Sequence, residues 1–178
     1  EALTRTSELN IPVAVHAEDH ALLKKSIAQL KLANRHDLTA FLKAHSELAE
    51  LEAVERTLRI ASEIEKVRLH FCHVSTQKAL KAVNEAKKLG KAVTCEVTPH
   101  HLLLTKDAYD RLGAFVLTMP PLRTKENIEA LWKGLGEGTV DTVGSDHAPH
   151  TLQEKDANSI WDVKVGVPGL ETLLPLFL

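Results

Sequence analysis

Four short apolar runs, residues 11–17, 67–75, 91–98 and 139–145, constrain the fold of this chain more than any other feature. Each is rich in valine, isoleucine or other apolar residues along its length, the pattern of a strand covered on both faces in a parallel sheet. Between them lie stretches with apolar residues three and four apart, notably 48–64, 76–89 and 125–135, which predicts amphipathic helices. Gly90 stands where a left-handed C-cap is expected, and Thr124 or Lys125 opens a helix after the Pro120-Pro121 break. Alternating strands and helices leave two architectures, an open doubly wound sheet and a (β/α)8 barrel.

The position of the chemistry favours the barrel. His16, His73, the Thr98-Pro99-His100 stretch and Asp146 all fall at the carboxyl ends of successive runs, the face on which such barrels build their sites. No glycine-rich phosphate loop follows the first run, as a doubly wound sheet would more often show. A complete barrel takes about 250 residues and eight strands. The 178 residues are therefore expected to form one catalytic-domain segment, 1–178, holding roughly the fifth to eighth strands, with the N-terminal half upstream. A half barrel alone would expose two sheet edges and its apolar interior, so it is expected to pair with a second copy, retain a separately encoded partner, or aggregate.

Composition removes several function classes. Lys and Arg number 22 against 24 Asp and Glu, with no basic block or aromatic-interleaved stripe, so nucleic acid is not expected as a partner. No run approaches the roughly 18 apolar residues of a membrane helix. The first residues carry no basic region followed by an apolar stretch, which makes a cytoplasmic setting the expectation. Cys72 and Cys95 each sit inside an apolar segment, as buried thiols rather than a disulfide framework.

Ten histidines are present, and six fall in short clusters: His16 with His20, His100 with His101, His147 with His150. Histidine binds metals and carries protons near neutral pH, so such clusters beside carboxylates are the first place to look for a site. In Val13-Ala14-Val15-His16-Ala17-Glu18-Asp19-His20 a histidine ends a strand with two acids behind it, as a metal ligand supported by carboxylates would. In His70-Phe71-Cys72-His73 strand alternation puts Cys72 on one face and Phe71 with His73 on the other, His73 reaching the barrel mouth. In Gly144-Ser145-Asp146-His147-Ala148-Pro149-His150 a carboxylate ends the fourth run, placed to bind a cation and to accept a proton from water. Three such strand ends together point to a divalent cation used in hydrolysis. Weaker clusters have structural readings beside functional ones. The stretch 95–101 shapes a loop or ends a strand, Arg123 clamps an anionic substrate or caps a helix, and the charged faces between 47 and 59 are solvated surface.

The series His16-Ala17-Glu18-Asp19, His73-Val74-Ser75, Glu96-Val97-Thr98-Pro99-His100-His101-Leu102, Pro120-Pro121-Leu122-Arg123, Asp146-His147-Ala148-Pro149-His150 and Gly166-Val167-Pro168-Gly169-Leu170-Glu171-Thr172 resembles, in order and across the chain, the class I dihydroorotases of the amidohydrolase superfamily. The resemblance implies a binuclear zinc (Zn2+) centre. His16 and His73 would be the histidine ligands of the second metal, and Asp146 a ligand of the first metal and the catalytic acid/base. It further implies substrate contacts from His150 and from the backbone at Val165 and Gly166, and reversible cyclisation of N-carbamoyl-L-aspartate to L-dihydroorotate. A homo-oligomer, and aspartate carbamoyltransferase as a partner, are implied in the same way. The family's His-x-His pair, bridging carboxylate and substrate-carboxylate ligands would precede residue 1, so the isolated chain is expected to bind metal weakly and to lack turnover. Met119 stands where the family usually has a substrate-binding asparagine, and a thioether cannot donate an amide hydrogen bond. That departure keeps two alternatives open, a hydantoinase- or allantoinase-like specificity and a non-catalytic scaffold.

Overall fold

The structure, a computed structural model, describes residues 1–178. In chain order the elements are α1 (Ala2–Glu8), β1 (Val13–Val15), α2 (His20–Leu32), α3 (Leu38–Ala44), α4 (Glu47–Ser62), β2 (Leu69–Phe71), α5 (Gln77–Lys88) and β3 (Val93–Val97). There follow α6 (Pro99–Leu103), α7 (Ala108–Leu112), a 3-10 turn (Gly113–Val116), α8 (Lys125–Gly136), β4 (Thr142–Val143), α9 (Leu152–Lys155) and α10 (Leu170–Phe177). All four expected strands form where the apolar runs lie, shortened to their centres.

The strands pair in parallel in the order β1-β2-β3-β4, with Val13 opposite Leu69, Leu69 opposite Val93, and Glu96 opposite Thr142. Each strand lies beside its neighbour in sequence. A doubly wound sheet reverses its order at a switch point, whereas a barrel wall does not, so the topology agrees with the barrel reading.

Burial explains the local choices. Leu69, Phe71, Val93, Cys95 and Val97 project to one side of the sheet and pack against Val54 of α4, Val83 of α5 and Leu131 of α8 in the main core. Full burial of a large apolar side chain contributes roughly 1.5–3 kcal/mol, so this layer holds the sheet to its helices. On the opposite face stand His70, Thr94 and Glu96, which are half-buried or exposed. A second apolar cluster, including Phe41, Tyr109, Leu117 and Leu122, packs the long connections together, and the Tyr109 hydroxyl accepts from the Leu122 N–H at 2.9 Å.

The strand ends pass within a few residues into capped helices. Asp19, Asp37, Ser46, Thr76 and Thr98 each accept from the backbone N–H three residues on, opening α2, α3, α4, α5 and α6. Such caps are worth about 1 kcal/mol each, and those at 19, 76 and 98 fix the backbone directly behind the strand ends where the candidate ligands lie. Gly90 takes the expected left-handed conformation, φ 74°, just past α5. No helix is long and apolar enough to cross a membrane.

One local expectation is corrected. β2 stops at Phe71, and His73 has φ 36°, so it does not continue the strand alternation that would have put it on the face of Phe71. The left-handed turn redirects its ring towards β1.

Candidate metal centre and active site

His16 and His73 meet across the ends of β1 and β2. His16 Nδ1 lies 3.1 Å from His73 Nε2, with the rings edge to face and their centroids 4.8 Å apart. The other nitrogen of His16, Nε2, donates to Glu18 Oε2 at 3.1 Å, and His45 Nδ1 donates to Glu18 Oε1 at 2.9 Å. Burial pushes the Glu18 carboxyl upward, but the hydrogen bonds from His16 and His45 outweigh it and bring it down to about 2. Glu18 is therefore an anion at neutral pH. Its hydrogen bond raises His16, whereas burial, reinforced by the charge of His16, lowers His73.

With its Nε2 proton held by Glu18, His16 turns the Nδ1 lone pair toward His73. Two nitrogens bonded to one tetrahedral cation at roughly 2.0–2.1 Å stand about 3.3 Å apart, close to the spacing found here. A carboxylate behind the distal nitrogen is the usual support for a metal-bound imidazole. Two buried side-chain nitrogens have no protein partner, His73 Nδ1 and His100 Nε2. Buried polar groups are rarely left so, and both rings feel the nearby Asp146 charge. The residues present thus suit a cation.

Asp146 follows β4 with φ 43°, a left-handed conformation shared with His73. Non-glycine residues held there cost of order 1–3 kcal/mol and gather at functional sites. The Asp146 carboxylate acts as a nearby negative charge on His16, His73 and His100. It is not, however, part of a set of three ligand atoms within 4.8 Å of one another. Burial lowers His100 to about 4, which keeps its ring neutral at physiological pH.

The expected substrate residues form a second connected group. His150 Nε2 donates to the Val165 carbonyl at 3.2 Å, and the Gly166 N–H donates to the Leu117 carbonyl at 2.8 Å, two residues before Met119. The Lys155 ammonium donates to the carbonyls of Gly166 and Leu117. The Gly166 N–H is already used within the fold and is not offered to a ligand. Met119 is 41% exposed, enough for its thioether to meet one.

Several residues read as candidates prove structural. Asp19 does not support His16; it caps α2 and pairs with Arg56. His147 Nδ1 accepts from the Gly169 and Leu170 N–H groups, both at 3.1 Å, and so caps α10. His101 is fully buried, its Nε2 donating to the Pro120 carbonyl at 3.0 Å and its Nδ1 accepting from Thr98. Arg123 does not cap α8, the helix behind it, and its guanidinium is engaged within the fold. It is buried, with Nε on Ser75 Oγ at 3.0 Å, Nη1 on the His45 carbonyl at 2.7 Å and Nη2 on Glu50 at 3.4 Å. Glu50, expected on a solvated face, is 2% exposed and also receives the Ser75 N–H and hydroxyl. Sequence reasoning passed over His45, Glu50 and the unpartnered nitrogen of His100. Of these, His100 alone carried a local signal, its place at a strand end.

No family model matches the chain. Over 179 residues it is 41% identical to a dihydroorotase of Wolbachia sp. subsp. Brugia malayi, matching 100% of this chain and 39% of the relative. A dihydroorotase of Methanosarcina acetivorans is also 41% identical, over 184 residues, with 100% of this chain and 38% of the relative covered. In sequence, the chain is similar along its length to proteins named dihydroorotase. Among solved structures the dihydroorotase-like chain superposes on L-hydantoinase (dihydropyrimidinase) from Arthrobacter aurescens with a TM-score of 0.92 and 31% identity, covering 98% of this chain and 39% of that one. D-hydantoinase from Thermus sp. gives 0.93 at 26% identity over the same shares. A dihydroorotase from Campylobacter jejuni, 20% identical with a TM-score of 0.68, shares the fold. The dihydroorotase-like chain therefore spans about two fifths of the length of the proteins it matches, and its four-stranded parallel sheet corresponds to part of their structures.

Proposed function

We propose that the protein containing this chain is a zinc-dependent dihydroorotase, interconverting N-carbamoyl-L-aspartate and L-dihydroorotate, and that the four strands are the fifth to eighth of its barrel. The observation that carries this reading is the opposition of His16 Nδ1 and His73 Nε2 at 3.1 Å, in a chain 41% identical along its length to proteins named dihydroorotase. His16 and His73 would hold one zinc ion, and Asp146 would serve the adjoining ion of a binuclear centre. Bound zinc lowers the pKa of water and polarises an amide carbonyl.

The chain's own residues do the rest. Glu18 fixes the His16 tautomer, leaving Nδ1 free to bind. In the hydrolytic direction Asp146 takes the proton of the attacking water and passes it to the ring nitrogen as the amide bond breaks; in cyclisation the transfers reverse. His150, with the Val165–Gly166 segment it holds, would orient the substrate. A cytoplasmic homo-oligomer, associating with aspartate carbamoyltransferase, fits this role in pyrimidine biosynthesis.

Met119 favours one second reading, a hydantoinase-like specificity, because its thioether offers no donor to a substrate oxygen. A single assay separates the two. The intact protein, loaded with zinc, is expected to turn over dihydroorotate in preference to a 5-substituted hydantoin. Preference for the hydantoin would replace the first reading with the second, and turnover of neither by protein carrying two zinc ions would defeat both.

A further inference from the structure

On the sheet face turned away from the main core, below the His16–His73 pair, three potential ligands of different chemistry meet. One atom from each of His70, Cys72 and Glu96 lies within 4.8 Å of the other two. His70 is the central residue of β2, Cys72 follows the strand directly, and Glu96 stands on β3 beside them.

The hydrogen bonds around the cluster are compatible with all three atoms being offered to a cation. Thr94 Oγ1 lies 2.8 Å from His70 Nδ1 and 3.2 Å from the Leu69 carbonyl, and when its hydroxyl donates to the carbonyl the ring N–H at Nδ1 donates to it. A neutral His70 then carries a lone pair on Nε2, because the partner of one ring nitrogen sets the state of the other. That lone pair faces Glu96 Oε2 at 3.4 Å. In that tautomer two acceptors oppose each other, the arrangement a bound cation between them stabilises. The other oxygen of Glu96, Oε1, is held by the His73 N–H at 3.3 Å, which directs Oε2 into the cluster. Gly144 of the neighbouring segment leaves room for the carboxylate, since a Cβ there would stand 2.6 Å from Glu96 Oε2. The Cys72 thiol supplies the third donor. It is half-buried and free.

We infer that His70 Nε2, Cys72 Sγ and Glu96 Oε2 form a cation site separate from the His16–His73 centre, selective for a borderline or soft divalent ion such as zinc or cadmium. An imidazole, a thiolate and a carboxylate suit such ions, and three protein ligands leave one position for water. Binding converts the Cys72 thiol to thiolate and releases its proton to solvent. Neither His16, His73 nor Asp146 carries sulfur, so a thiolate signal from Cys72 distinguishes this site from the His16–His73 centre.

Cadmium titration of the intact, chelator-stripped protein tests it, read by the ultraviolet thiolate-to-cadmium charge-transfer band. One saturable band per chain is expected, abolished by Cys72→Ser and kept in Cys95→Ser, because Cys95 lies buried on the other face of the sheet. His70→Asn and Glu96→Gln should each weaken cadmium affinity at least about tenfold, as losing one of three ligands requires. His16→Ala should leave the band in place. No band in the wild type, a band surviving Cys72→Ser, undiminished affinity in both His70→Asn and Glu96→Gln, or loss of the band in His16→Ala would each overturn the separate site.

Discussion

Asp146→Asn should lower kcat of the intact protein about 100- to 10,000-fold, the range lost when a positioned acid/base is removed. An amide has nearly the shape of the carboxylate but can neither take the proton from water nor return it to the ring nitrogen. The backbone should tolerate the exchange, because asparagine adopts the left-handed conformation found there, φ 43°, as readily as aspartate. The loss should appear in kcat with the circular dichroism spectrum unchanged. A fall of less than tenfold in a folded, zinc-loaded variant would remove Asp146 from proton transfer.

Arg123→Met should have the largest effect on stability. Arg123 and Glu50 are 7% and 2% exposed, and the guanidinium also holds Ser75 Oγ and the His45 carbonyl. Removing one partner of a buried pair leaves the other charge uncompensated, at a cost of about 3–5 kcal/mol. The damage would reach the candidate metal centre as well, since His45 also holds Glu18. Urea unfolding should show the lower midpoint, and adding Glu50→Gln to Arg123→Met should recover part of it by removing the stranded charge. A single variant within 1 kcal/mol of the wild type would show that Arg123 is not the counter-charge of Glu50.

The strands and the helices that cover them were legible because the apolar pattern that defines them is the same one that builds the core. Phe71, Val97 and Leu131 are apolar at the expected period and end fully buried. α2 and α3 were not legible. Leu30 is the single buried residue of α2, so little of its sequence is held to a helical stripe, and its Asp19 cap read instead as a ligand support. The same ambiguity misplaced His147, whose ring accepts backbone N–H groups more than twenty residues away.

His16, His73 and Asp146 could be picked out because a strand end is a local property. Their electrostatic setting could not. Glu50 and Arg123 are 73 residues apart, and Glu18 and His45 are 27 apart. On a one-dimensional reading Glu50 is one more charge on an amphipathic helix. Only folding shows that it points inward.

The most direct measurement is anomalous diffraction from crystals of the intact, zinc-loaded protein. A zinc peak is expected at about 2.0–2.1 Å from both His16 Nδ1 and His73 Nε2, with the Asp146 carboxylate bound to that ion or its neighbour. Zinc bound elsewhere, with these two nitrogens still facing each other and no metal between them, would contradict the account.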